Sequence, residues 1–132
     1  MAGGLILETT FLVDLERELG AGKSGPAQAL LQSRATEPLY ITFTVAGELV
    51  AGIGPNDRNR WERFIAPFQV LGASPDVCWE YGKAFRYLKA NGRLIGANDL
   101  WIAAAALAYG KAVVTRNTKD FQKVPGLDVV GY

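Results

Sequence analysis

The sequence predicts an α/β chain built on a central parallel sheet of four to five strands with helices on both faces. Short apolar runs alternate with longer segments of helical period. The strand candidates are separated by helix candidates and not by hairpin turns, and no internal repeat or low-complexity run interrupts the pattern. Strands so separated pair through right-handed crossovers, which place them parallel. With 132 residues, 49% of them hydrophobic and 20% charged, the chain can hide roughly two-thirds of its unfolded surface, enough for a core without disulfides or a structural metal. One domain over residues 1–132 is expected.

Leu5, Ile6 and Leu7 follow two glycines and suit a strand buried on both faces. Phe11, Leu12, Leu15 and Leu19 then recur at helical spacing, with Glu16, Arg17 and Glu18 on the other side and Gly20 as the stop. After a loop from Gly20 to Gly25, Ser24 and Pro26 open a second helix through Arg34, with Ala27, Leu30 and Leu31 inward. Tyr40 to Phe43 is the next strand, and Thr44 is placed to cap a helix holding Val45, Glu48 and Leu49. Gly52 to Pro55 breaks the chain, and Asn56 or Asp57 can cap a helix bearing Trp61, Phe64 and Ile65. Phe68 to Leu71 reads as a third strand. Ser74-Pro75-Asp76 starts a helix through Val77, Tyr81, Phe85 and Leu88, stopped by Asn91-Gly92. A further helix begins near Asn98, holds Ile102 to Leu107 and ends at Gly110. Ala112 to Thr115 is the fourth strand and Leu127 to Val130 a shorter fifth.

Composition narrows the chemistry. There is no histidine and one cysteine, Cys78, so the usual zinc ligand sets and the usual neutral-pH general base are missing. Carboxylates, Lys, Arg, hydroxyls or one thiol must do the work. Cys78 reads as a small helix residue, since no histidine can activate it. The net charge of +1 hides an asymmetry: residues 1–82 carry 6 basic and 10 acidic groups, residues 83–132 carry 8 and 3. That division suits a polyanion lying against the C-terminal half, and equally suits solvated faces that happen to segregate. No run approaches the 18 or so apolar residues of a membrane helix, and the N-terminus lacks an export pattern, so a cytoplasmic protein without membrane contact is expected.

In open parallel sheets, sites form beyond the carboxyl ends of the strands. Four residues fall there: Glu8 after the first strand, Glu48 in the helix after the second, Asp99 at the start of the alanine-rich helix, and Asn117 after the fourth. Each alone reads as a helix cap or a solvated group. Converging, three acids and an amide repel one another unless a cation lies between them, and oxygen ligands select a hard ion, Mg²⁺ or Mn²⁺.

The segments carrying these residues resemble the motifs of PIN domains of the VapC toxin type. LILETTFLVDLERE is similar to the first motif, an apolar strand, an acid, then Thr or Ser. ITFTVAGELVAG places Glu48 at the acid of the second, and RLIGANDLWIAAAALAYG places Asp99 at the acid of the third. VVTRNTKDFQKVPGLDVVGY resembles the closing stretch, where an acid or Asn follows the Val-Thr-x element. The resemblance spans nearly the whole chain, in order. It implies a three-layer α/β/α PIN-like fold and a metal-dependent ribonuclease acting on an RNA substrate, usually the toxin half of a toxin-antitoxin pair. The metal would be held by Glu8 and Asp99, with Glu48 direct or through water. The sequence leaves open whether one ion or two bind; a second about 3.5 to 4 Å away would stabilise the leaving oxygen, and attack by metal-activated water needs no histidine. A cognate antitoxin would lie along helices near the cleft and offer an Arg to the acids, and a homodimer is expected through the apolar helices around Trp61 and Phe85.

The chain departs from the family pattern twice. Glu8 stands where aspartate is usual, adding a methylene and a torsion at a position where about 0.5 Å matters. Asn117 offers a carbonyl oxygen without charge, and Asp120 either substitutes as an acid or caps the short turn before Phe121. Thr9 and Thr115 either orient carboxylates or cap helices. Asn98 ranks with them. Arg93 and Arg116 border the rim and can hold phosphates bidentately, with Lys119 and Lys123 weaker candidates. The GKS of Gly20-Ala21-Gly22-Lys23-Ser24 is no phosphate loop: Arg17 occupies the leading glycine's place, and a helix precedes it. Trp61, Trp79 and Trp101 fit core or dimer packing better than base stacking. The rival reading is a catalytically weak or inactive PIN-like domain, its metal site degraded at Glu8 and Asn117, that binds RNA or protein. A phosphoacceptor receiver domain fails because Gly72-Ala73-Ser74 stands where the acceptor aspartate belongs.

Overall fold

The structure is a computed structural model that describes residues 3–52 and 57–132. Among them the order is β1 (Leu5–Leu7), α1 (Thr9–Ala21), α2 (Pro26–Ser33), β2 (Leu39–Thr42), α3 (Phe43–Gly52), α4 (Arg58–Ile65), β3 (Gln69–Leu71), α5 (Pro75–Ala90), α6 (Ala97–Tyr109), β4 (Ala112–Val114), α7 (Thr118–Phe121) and β5 (Val129–Val130). The five strands form one parallel sheet ordered β3-β2-β1-β4-β5. β1 is central: Leu5 pairs with Leu39 on one side and Ala112 on the other. Its three side chains are buried, so both sheet faces are covered, as an apolar run without alternation requires. The chain winds outward from β1 in both directions. The gap between β1 and β4 is therefore the switch point at which parallel sheets open a crevice.

The core joins β1, Ile41, Val113 and Val114 to Phe11, Leu12, Val45, Val77, Leu88, Leu100, Phe121 and the small residues Ala103 to Ala106. The alanines matter. They let α6 lie close against its neighbours, and the α5–α6 pair is the most extensive helix contact. Gly4, at φ +130°, has room for no side chain, since a Cβ there would come within 2.6 Å of the Tyr40 ring.

The element types agree with the sequence reading except for α7, which that reading took as a short turn, and the boundaries correct it. α1 passes Gly20 and ends on Gly22, whose left-handed φ of 66° lets its N–H reach Glu18 and Leu19 carbonyls. β2 stops before Phe43, and the cap of α3 is Thr42, not Thr44: the Thr42 hydroxyl accepts from Val45 N at 3.3 Å, and the two threonine hydroxyls lie 2.7 Å apart. Asp57 caps α4 through Arg60 N, while Asn56 and most of the expected break lie outside the described residues. β3 begins at Gln69 and not Phe68, and α2 ends one residue before Arg34. Ser74 caps α5 as expected. α6 starts one residue ahead of Asn98, from Gly96, which makes no side-chain cap bond. β5 is only Val129–Val130. Trp79 is 66% exposed and is not core, whereas Trp101 stacks on Tyr81 at 3.9 Å between ring centroids. No described helix is long and apolar enough to cross a membrane.

Candidate active site

Four acids from four segments meet at the carboxyl edge of the central strands. Glu8 ends β1 and begins α1. Its carboxylate is 4% exposed and caps that helix, accepting from Thr10 N at 3.2 Å. The other oxygen, Oε1, accepts from the Thr10 hydroxyl at 2.6 Å and, across the switch point, from the Thr115 hydroxyl at 2.5 Å. Thr115 Oγ1 accepts in turn from Asn117 N at 2.9 Å. Glu48, on α3, takes the Thr9 hydroxyl at 2.8 Å and Asn98 Nδ2 at 3.5 Å. Adjacent threonines at the head of α1 therefore hold two different acids, one buried and one half-buried.

Asp99 lies in the first turn of α6. Burial, then the charges of Glu8, Glu48 and Asp120, push its carboxyl up to about 6. Each cause disfavours the ionised form. Asp120 takes Asn117 Nδ2 at 3.1 Å and Lys123 Nζ at 3.1 Å, and these hydrogen bonds hold its carboxyl below the ordinary range.

The expected residues Glu8, Glu48 and Asp99 thus act on one another. Thr9 and Thr115 both donate to acids. The cap of α7 is Asn117, and Asp120 sits inside that helix, so the expectation that Asp120 caps the turn before Phe121 is corrected. Asn117 directs its amide N–H toward Asp120. Arg93 is exposed between α5 and α6 and, among the described residues, its side chain makes no hydrogen bond or ion pair with the acids. Arg116 contacts Asp14 on α1. Sequence reasoning missed Thr10, which donates to Glu8 and accepts from Arg116 N at 3.2 Å. Only its place two residues after a strand-end acid hinted at this.

The donors are carboxylate oxygens with an amide carbonyl nearby, which is the chemistry of a hard divalent ion. A raised carboxyl amid three further acids is the electrostatic sign of a missing positive charge. The side chains stand open around that centre. Among the described residues no three of them are drawn close enough to enclose an ion. Donor type and charge fit a cation, and closure would fall to the half-buried Glu48 and Asp99, because Glu8 is already fixed by its threonines.

The α/β architecture, with acids at a parallel sheet's switch point, defines a recognisable class, and comparison with known proteins identifies it. The PIN domain model matches residues 5–127, so the chain belongs to the PIN-domain family. Within it the chain is similar to the VapC ribonucleases: it is 33% identical to Ribonuclease VapC of Rickettsia bellii, over 96% of this chain and 95% of that one. It is 34% identical to Ribonuclease VapC1 of Haemophilus influenzae strain R2866, over 76% and 79%. The solved structure of VapBC-1 from nontypeable Haemophilus influenzae superposes with a TM-score of 0.77 at 26% identity, covering 97% of each chain.

Proposed function

We propose that residues 1–132 work as one unit, a Mg²⁺- or Mn²⁺-dependent endoribonuclease that is the toxin of a toxin-antitoxin pair. The observation that carries this is the placement of Glu8, Glu48, Asp99 and Asp120 at one edge of the sheet of a PIN-domain chain, close enough that, after burial, the other three charges keep the Asp99 carboxyl raised. Asp99 and Glu48 would hold the ion, with Glu8 completing the set and Asn117 and Asp120 adjoining. When bound, the ion supplies Lewis acidity to a phosphodiester oxygen and makes water a nucleophile near neutral pH. The chain's own groups do the rest. Thr10 and Thr115 fix the Glu8 carboxylate, Thr9 and Asn98 aim Glu48, and Lys123 screens Asp120. Thr9 and Thr115 are positioning residues; Arg93 and Arg116 are the phosphate-binding candidates.

The deciding experiment is Mn²⁺-dependent cleavage of single-stranded RNA together with thermal melting. A working site should gain about 1–3 kcal/mol from millimolar Mn²⁺, and the gain should vanish in Asp99→Asn. Wild-type protein that neither melts higher nor cleaves RNA supports the rival reading of an inactive binding module.

Glu8 supports a second expectation. Its length reaches Thr115 on the far side of the switch point at 2.5 Å, a span an aspartate at position 8 would shorten by a methylene. We expect Glu8→Asp to lower cleavage several-fold under saturating Mn²⁺. A faster variant would mean that glutamate weakens the site.

For the antitoxin, a groove of about 480 Å³ between α1, α2 and α4 is walled by Leu15, Leu19, Leu31, Leu39, Phe64 and Phe68. An apolar segment seated there would run along α1, at whose head the acids gather, within reach for an Arg to replace the cation. A homodimer belongs to the same reading, with a changed location. Trp61 and Phe85 are already half-covered within the chain, Trp61 donating to Ala46 O at 3.1 Å and Phe85 stacking on Tyr81. The exposed Val70 and Trp79 are the better candidates, and sedimentation of Trp79→Ser tests them.

A further inference from the structure

We propose that Arg116 is a clamp for an RNA phosphate, and that Asp14 and Tyr132 are positioning residues that set its aim; this rests on the nuclease reading above. Arg116 Nη1 donates to both oxygens of Asp14, at 3.0 and 3.1 Å. The Tyr132 hydroxyl donates to Asp14 Oδ2 at 2.6 Å, and its ring packs edge-on against buried Phe11 with centroids 4.9 Å apart. Burial and the bond to Asp14 raise the Tyr132 hydroxyl above its ordinary range, so it stays protonated and a donor. The Arg116 backbone is fixed too, its N–H donating to Thr10 Oγ1.

This assembly leaves a directed surplus of donors. Among the described residues, Arg116 Nε and Nη2 make no hydrogen bond; both bonds of the guanidinium come from Nη1. The Arg116 side chain is 57% exposed and Asp14 only 18%, so the positive end faces solvent and the neutralising carboxylate is covered. A planar guanidinium held by one nitrogen presents its remaining edge in a fixed plane, the geometry that recognises phosphate. Its location suits a strand entering the site. Asp14 lies four residues along α1 from Thr10, a rise of about 6 Å, and Thr10 itself holds Glu8. A phosphate at Arg116 would neighbour the one placed among the acids.

The test uses a fluorescent single-stranded RNA oligonucleotide in EDTA, read by anisotropy across a salt series, together with Mn²⁺-dependent kinetics and melting of the same proteins. Arg116→Ala should weaken binding roughly five- to tenfold and flatten the salt slope by about 0.7, one phosphate contact. Arg116→Lys should restore the slope without the full affinity. Asp14→Asn and Tyr132→Phe should weaken binding a few-fold, with the kinetic loss on KM more than on kcat. Arg116→Ala with parental affinity and slope overturns the clamp. Asp14→Asn and Tyr132→Phe that melt lower yet bind as the parent overturn the positioning role. Parent protein that binds RNA but does not cleave it with Mn²⁺ sinks the nuclease reading while the binding results still decide the clamp; parent protein that binds no RNA overturns both.

Discussion

Asp99→Asn is expected to make the metal-free protein more stable and, in the same step, to abolish RNA cleavage. The Asp99 carboxyl sits at about 6 in the folded chain against an ordinary value of 3.8. The sign follows from proton counting. Between pH 4 and 6 the folded protein holds a proton on Asp99 that the unfolded chain has released, so stability falls as pH rises through that window and stays reduced above it. At pH 7 the ionised group therefore opposes folding. A shift of this size corresponds to at most about 3 kcal/mol, and solvent at a half-buried site screens it to about 1–2 kcal/mol. The neutral amide removes the penalty, and thermal melts in EDTA at pH 7 should rise by several degrees. The gain should shrink toward nothing by pH 4, where the native carboxyl is already protonated. Cleavage with Mn²⁺ should fall by a hundredfold or more, since the amide supplies no charge to the ion. An unchanged melting temperature at pH 7 would show that the acids do not strain the fold.

Glu8→Ala should do the opposite to stability. Glu8 is the cap of α1, and its carboxylate satisfies the hydroxyls of Thr10 and Thr115 at the switch point. Loss of a side-chain cap costs about 1 kcal/mol. Leaving a buried hydroxyl unpaired costs a further 1–3 kcal/mol or so. Removing one negative charge beside Asp99 returns part of this, for a net loss of about 2 kcal/mol, measurable by urea denaturation in EDTA. Activity should fall as steeply as in Asp99→Asn. Two acids at one site thus act on the fold with opposite sign: one is paired by hydroxyl donors and the other is not. If both variants destabilise, Asp99 has a partner in solution that this geometry does not contain.

Much of this site was legible in the chain itself, because strand ends mark themselves. The run Leu5 to Leu7 gives way to Glu8, and Val113-Val114 to Thr115, and in a parallel sheet both must arrive at the same edge. Ser74-Pro75 and Gly110 likewise punctuate α5 and α6 by local chemistry. Other boundaries were not local decisions. In Ile41-Thr42-Phe43-Thr44 either threonine could cap, and the choice fell to Thr42 because β2 pairs with β3 only as far as Leu71. Phe43 then turns into a helix against the Trp101 ring, at 6.4 Å between centroids. Thr10, Asp14 and Tyr132 escaped notice for a related reason. Asp14 meets Arg116 and Tyr132, and Thr10 accepts from Arg116 N, across more than 100 positions of sequence, and a threonine or an aspartate on a helix carries no mark of what a distant segment will bring to it.

The central place of β1 bears on how such a protein can be made safely. β1 is synthesised more than 100 residues before β4, which pairs one of its flanks, and Thr115, Asn117 and Asp120 follow later still. A nascent chain that stalls before about residue 112 exposes the Ile6 and Leu7 edge and holds Glu8 without its threonine from the last third. The charged centre is therefore assembled only once the segment carrying Thr115 to Asp120 has been made, and a chain stopped short of it should not cleave RNA.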